Sequence, residues 1–324
     1  MNGQHMSMVR LSTALALWFA VIPIAASAAS CLYINSYHKG YDWSDRMQGA
    51  FNEAIKHQCS VSYHYLDAKH QPIDKLKAKG MEIANLIPLS QPDIVIAADD
   101  AASQYVVQPY LRNSRVPVVY IGVNWDPRPF GYPMDNATGM TEMWPVEQVL
   151  SIVEETTGSV KTLAMVTKDG IQEHRNAQVI AMFLQQKGIT FTPYFVNTFA
   201  EWQSAVVKAQ QADVIYLGTF QAIRDWNVEQ AQRWMQQENH RLTLASQDFM
   251  LPYVMFSLSK SPEEFAHWAS EAVSAILSGT QPWQIPIIPN QQLNYRYNPT
   301  LLSKAGFHLP DRILRRARPY EGAP

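Results

Sequence analysis

Short apolar, β-branched runs alternate with amphipathic stretches along almost the whole chain, and no other feature constrains its fold as tightly. Residues 31–36 (CLYINS), 61–68 (VSYHYLDA), 93–98 (DIVIAA) and 116–123 (VPVVYIGV) read as strands. Between them lie a helix with Met47, Phe51, Ala54 and Ile55 on one face, a second over 74–86 and a short third over 101–111. Strands interleaved with helices imply βαβ units and a parallel sheet. The pattern then starts again. Helices over 146–155, 171–187, 200–210 and 228–238 alternate with strands over 162–167, 189–196, 213–218 and 241–246. A helix over 262–277, closed by Gly279, and a proline-rich extended piece (QPWQIPIIP) follow. With 324 residues the chain has room for two domains. The expected class is α/β: two Rossmann-like, doubly wound lobes with a hinge and an interlobe cleft.

In open α/β sheets a ligand sits outside the carboxyl ends of the strands. The stretch SYHKGYDW, Ser36 to Trp43, is the loop at the carboxyl end of the first strand. Its rings would wall a cleft and its short polar groups would orient something small. Asp42, three residues before Asp45, is the expected N-cap of the first helix.

Residues 1–28 hold one arginine, an apolar run broken by Pro23 and a small-residue end at Ala26-Ser27-Ala28. This is the layout of a secretory signal peptide, so the mature chain is expected in an exported compartment. The two cysteines are an even count for an oxidising compartment; Cys31 opens the first strand and Cys59 lies just after the first helix and before the second strand, positions that can meet at one end of a βαβ unit, which favours a disulfide. Lipid attachment at Cys31 is the alternative, and the lipobox leucine it would need is absent.

A formal charge of −2 leaves no electrostatic footprint for nucleic acid. G-x-S-x-G, P-loop, G-x-G-x-x-G, H-E-x-x-H and C-x-x-C patterns are all missing, so neither an enzyme nor a cofactor is expected. Asp99-Asp100 is read as one helix-capping carboxylate and one facing the cleft. His64, His70 and Asp67 show no fixed ligand spacing, with His64 and Asp67 on opposite faces of a strand, and no metal site is expected.

The segments NSYHKGYDWSD, DIVIAADDAA, VPVVYIGVN, ATGMTEMWPVEQVLSIV and ILSGTQPWQIPIIPN, in this order, are similar to those of the ABC-transporter substrate-binding-protein-like family with the periplasmic-binding type I fold. Related segments serve as extracytoplasmic sensor regions. Between the signal peptide at 1–28 and a solvated, arginine-rich tail expected at 311–324, the resemblance implies lobe I from 29–142 and 249–282 and lobe II from 143–248 and 283–310. It implies cleft positions at Ser36, Tyr37, Trp43, Asp99, Asp100, Asn124 and Trp125 in the first lobe. In the second lobe they fall on Lys168, Asp169, Thr219, Gln247 and Asp248. The implied partner is a small polar or zwitterionic ligand, passed by a periplasmic monomer to an ABC permease. Reporting of occupancy to a membrane histidine kinase or cyclic-dinucleotide protein is the alternative.

Overall fold

A computed structural model describes residues 28–221 and 223–322. The signal-peptide reading therefore lies outside the described residues but for Ala28. The first series runs β1 (Ala29–Asn35), α1 (Asp42–Ile55), β2 (Cys59–Tyr65), α2 (Ile73–Ser90), β3 (Ile94–Ala98), α3 (Asp99–Ala102), β4 (Val118–Asn124) and β5 (Ala137–Glu142). α3 continues directly into a π-helix at Ser103–Leu111. The second series runs α4 (Val146–Thr157), β6 (Thr162–Lys168), α5 (Ile171–Gln186), β7 (Thr190–Val196), α6 (Phe199–Ala209), β8 (Val214–Leu217), α7 (Val228–Glu238), β9 (Leu242–Ala245) and β10 (Phe256–Lys260). Then come α8 (Pro262–Leu277), β11 (Ile288–Pro289), β12 (Leu293–Tyr297), α9 (Pro299–Ala305), α10 (Asp311–Leu314) and β13 (Arg318–Pro319). Among the described residues no helix is long and apolar enough to cross a membrane.

The strands form two sheets, ordered β11-β5-β4-β3-β1-β2 in lobe I and β13-β12-β10-β9-β8-β6-β7 in lobe II. Among the described residues the strands of lobe I pair with one another in parallel, and lobe II has one antiparallel strand pair, β10 with β12. Read from their second strands, both sheets share the doubly wound order 2-1-3-4-5, so each reverses direction between its first and third strands. Period-two alternation feeds both faces of each sheet. In β1, Leu32 and Ile34 join the core under α2, while Cys31 and Tyr33 join Met47, Phe51 and Ile55 of α1 and Phe265 and Val273 of α8. Ala54, expected on the buried face of α1, is exposed.

The chain passes between the lobes after β5, after β10 and after β11. β10 hydrogen-bonds into lobe II, so the return to lobe I falls after Lys260 and not at residue 249. β11 still pairs with β5, which keeps residues 283–289 with lobe I. The polar composition of β10 (FSLSK) hid it as a strand, yet Ser257 and Ser259 are buried because both hydroxyls turn onto Asp248. The C-terminal segment is docked and not a solvated tail. Ile313 is fully buried, Arg312 donates to Glu155 Oε2 at 2.8 Å, and β13 pairs with β12.

The disulfide joins Cys31 to Cys59 with Cα atoms 5.9 Å apart. The register that sets Ala29 beside Cys59 and Cys31 beside Val61 makes this a diagonal staple across the first strand pair.

Candidate interlobe binding cleft

The direction reversals put the loops after β1 and β3 side by side in lobe I, and those after β6 and β8 side by side in lobe II. A cleft of about 690 Å³ lies between them, lined from lobe I by Tyr37, Tyr41, Trp43, Lys69 and Asp99 among others. Lobe II contributes Trp144, Lys168, Glu173 and Tyr216 to the opposite wall. That volume is in the range for small-molecule sites.

The loop after β1 is pinned from below. Ser36 is buried, donates through Oγ to the carbonyl of Ala98 (2.6 Å) and accepts the N–H of Ala102 (2.8 Å). It ties β1 to the end of β3 and does not reach the cleft. Asp42 begins α1 without capping it; Asp45 Oδ2 instead accepts the N–H of Gly40, whose φ of +96° turns the loop. The rings of Tyr37 and Tyr41 lie 4.8 Å apart, and the Lys69 ammonium sits 4.7 Å and 5.3 Å from their centroids. Burial, then the nearby Asp99, pushes the Tyr41 phenol up to about 12 and Tyr37 well above its usual range.

Asp99 carries the floor. Its backbone has φ +67°, an uncommon conformation that aspartate tolerates better than most residues. Asp99 is 1% exposed; Oδ1 accepts from Trp43 Nε1 at 3.2 Å, and Oδ2 has no hydrogen-bond partner. Behind it Gly122, at φ +73° in a bulge of β4, leaves room for the carboxylate: a Cβ there would lie 3.0 Å from Asp99 Oδ1. Burial first, then repulsion by Glu142 and Asp100, holds the Asp99 carboxyl well above the usual carboxylate range. Neither aspartate caps the following helix with its side chain. Asp100 accepts the backbone and side-chain N–H groups of Asn124 (2.9 and 3.3 Å), and burial pushes it up to about 6. It positions the end of β4 and does not line the cleft.

Trp125, at φ +59°, leaves lobe I and donates through Nε1 to Asn176 Oδ1 of α5, 3.2 Å away. Its ring packs against the lobe II core, so it bridges the lobes. Lys168 pairs with Glu173 at 3.4 Å. Thr219 and Gln247 line the lobe II wall, as does Asp248, whose Oδ1 is occupied by Ser257 (3.1 Å) and Ser259 (2.7 Å). Asp169 turns away to His174 at 2.8 Å and is absent from the lining.

Of the twelve expected cleft residues, Ser36, Asp100 and Asp169 thus fall behind or outside the wall. The wall also holds Tyr41, Lys69, Glu142, Trp144, Glu173 and Tyr216, which the sequence pattern does not single out. Tyr41 lies in the SYHKGYDW loop and Glu142 and Trp144 in the ATGMTEMW segment, whereas Lys69 and Tyr216 carry no sequence signal. Glu142 at the end of β5 pairs with Lys260 at the end of β10, a largely buried ion pair beside two of the interlobe passages. Trp144 stacks at a tilt on Tyr216 (4.9 Å), and its buried Nε1 has no partner. Burial, then repulsion from Lys168, lowers the pKa of Lys69.

Solved structures share this architecture. The ligand-free, open structure of a substrate binding protein with adhesive properties from Clostridium difficile aligns at TM-score 0.70 and 12% identity, covering 91% of this chain and all of that one. An ABC domain in complex with L-Trp from Streptococcus pneumonia aligns at 0.66 and 14%, covering 90% and 99%. A conserved domain protein from Vibrio cholerae aligns at 0.65 and 18%, again covering 90% and 99%. At these identities the likeness establishes the fold. No curated protein sequence matches the chain. The family model for the ABC transporter substrate binding protein does match, over residues 43–320, and with two doubly wound lobes closing on one cleft the chain belongs to that family.

Proposed function

We propose that the protein is an exported binding protein, periplasmic in location, that captures a small zwitterion of amino-acid type between its lobes for an ABC importer. One observation carries this reading. Among the buried polar atoms of the cleft wall that lack partners, two come from the opposing walls of the two lobes: the acceptor Asp99 Oδ2 from lobe I and the donor Trp144 Nε1 from lobe II. Buried polar groups are rarely left unpaired without a reason, and a ligand supplies one. An ammonium group on Asp99 would favour the ionised carboxylate and satisfy Oδ2. A carboxylate would lie between Lys69 and Lys168, whose charges oppose each other across the cleft. The rings of Tyr37, Tyr41 and Tyr216 supply a wall for an apolar or aromatic side chain, in keeping with the L-Trp of the pneumococcal neighbour. Asp248 is a poorer amine site than Asp99, since two serines already occupy Oδ1.

Two or three charge-assisted hydrogen bonds of roughly 1.5–3 kcal/mol each, with aromatic burial, reach about −8 kcal/mol, or micromolar affinity. The test is a thermal-shift screen of amino acids beside their N-acetyl and amide derivatives. A true ligand at 100 times its Kd adds about 2.7 kcal/mol. The expected hits are free amino acids, with both blocked series silent and Asp99→Asn abolishing the response. Equal response to blocked derivatives would overturn the zwitterion assignment.

A further inference from the structure

At the lip of the cleft three metal-ligating side chains converge that the ligand reading leaves unused. His38 follows β1, whereas Asp67 and His70 follow β2. The two strands are neighbours, and backbone bonds from Leu66 N–H to Asn35 O (2.9 Å) and Ala68 N–H to Ser36 O (2.8 Å) extend their pairing beyond the strand ends. β2 ends at Tyr65, so Asp67 is a turn residue and not, as its sequence context suggests, a strand residue. With φ +60° its carbonyl accepts the N–H groups of both His70 and Gln71 at 3.1 Å, and the turn brings His70 back over the Asp67 carboxylate.

Both imidazoles present the same atom to that carboxylate. His70 Nδ1 lies 2.6 Å and His38 Nδ1 3.4 Å from Asp67 Oδ1, and the ring centroids are 4.4 Å apart. One ligand atom from each residue falls within 4.8 Å of the others. Gln71 Nε2 donates to Asp67 Oδ2 at 3.2 Å, fixing the carboxylate from its far side. A hydrogen bond accounts for the His70–Asp67 contact, but His38 Nδ1 is buried and makes none. Lys69, between them in sequence, lays its ammonium over Tyr37 and Tyr41 and leaves the carboxylate to the imidazoles.

Two imidazoles and one carboxylate are the donor set of borderline divalent ions such as Zn²⁺, Ni²⁺ and Co²⁺. Bonds of ~2.0–2.1 Å place tetrahedral ligands ~3.3–3.4 Å apart. The His38–Asp67 separation already matches, and His70, with 61% of its side chain exposed, is free to move out by under ~1 Å. We propose that His38, Asp67 and His70 form a binding site for one divalent transition-metal ion at the cleft lip. Three protein ligands leave a fourth position, and since both histidines line the cleft, that position is available to water or to a donor atom of a bound ligand.

The test is calorimetric titration of the tag-free, chelator-stripped protein with Zn²⁺, Ni²⁺ and Co²⁺, each metal alone. One ion per chain is expected, with affinity lowered at least tenfold by His38→Ala, Asp67→Asn or His70→Ala. Asn tolerates the left-handed conformation, so Asp67→Asn preserves the turn. His174→Ala, which breaks a different His–Asp pair, should leave the affinity unchanged. Co²⁺ should give a ligand-field absorption band in the parent that the three variants lose. Melting curves in chelator identify any variant that fails to fold, and His38→Gln or His70→Gln then replaces it. No stoichiometric binding, or parental affinity in all three variants, would overturn the site.

Discussion

The indole Nε1 of Trp43 donates to Asp99 Oδ1 at 3.2 Å while the same ring meets Phe265 of α8 edge-on at 5.8 Å. One side chain therefore belongs both to the cleft and to the packing between α1 and α8. Trp43→Phe keeps most of the packing and removes the donor, so about 1 kcal/mol of stability is expected to go. Trp43→Ala should cost about 2–4 kcal/mol. Denaturant titration and ligand titration on both variants separate the two roles. Equal stability losses in Phe and Ala variants would remove the packing contribution.

The pH dependence of stability carries the mark of the acidic floor. Asp100 is raised by burial to about 6, above an unfolded value of ~4, so the native state binds the additional proton between these limits. Its contribution to stability is thus greatest below pH ~4 and declines as pH rises to ~6, with Asp99 extending the same sign to higher pH. Asp100→Asn, whose amide oxygen still accepts from Asn124, should remove a decline on the order of 2–3 kcal/mol. Urea midpoints from pH 4 to 7 in parent and variant check it. Parallel curves would refute the assignment.

Glu142 and Lys260 are both nearly buried, so removing one partner leaves the other uncompensated. Lys260→Met is expected to destabilise by about 3–5 kcal/mol. The double variant Glu142→Gln/Lys260→Met should regain most of that loss. A double-mutant cycle by chemical denaturation measures the coupling. Additive losses would show the two charges to be independent.

The Cys31–Cys59 bridge should contribute about 3–4 kcal/mol in the chain-entropy model. Thiol titration of the native protein should find no free thiol before reduction. Cys59→Ala should lower the Tm to the value of the reduced parent. Two reactive thiols in the non-reduced protein would contradict the bridge.

The doubly wound fold was legible because buried parallel strands such as IVIAA write themselves as continuous apolar runs, and the helices between them keep their period. Strand β10 was not, because its serines are buried for the sake of a carboxylate distant in sequence. The cleft was readable at the loops after β1 and β3, which flank the switch point, and at the adjoining loop after β4, because a ligand sits outside the carboxyl ends of such strands. Ser36 and Asp100 share those loops and yet act from behind the wall. Sequence position fixes which loop a residue occupies, but the hydrogen bonds to Ala98, Ala102 and Asn124 decide which way it faces. Trp43 illustrates the same limit, since its position allowed either a cleft wall or packing at the start of α1 and gave no hint that Phe265 and Asp99 would give it both.

The late return of the chain to lobe I has a consequence for biosynthesis. The α1 face of Met47, Phe51 and Ile55 shares its core with α8, and the β5 edge is completed by β11, from residues 288–289. A polypeptide emerging N-terminus first therefore holds the pieces of lobe I without the means to close it until residues 288–289 have emerged. Lobe II waits longer still, for β12 and the docked Ile313. Lobe I cannot close before β11 has emerged, nor lobe II before Ile313, so until then the nascent chain remains unfinished and open to being threaded as a linear strand.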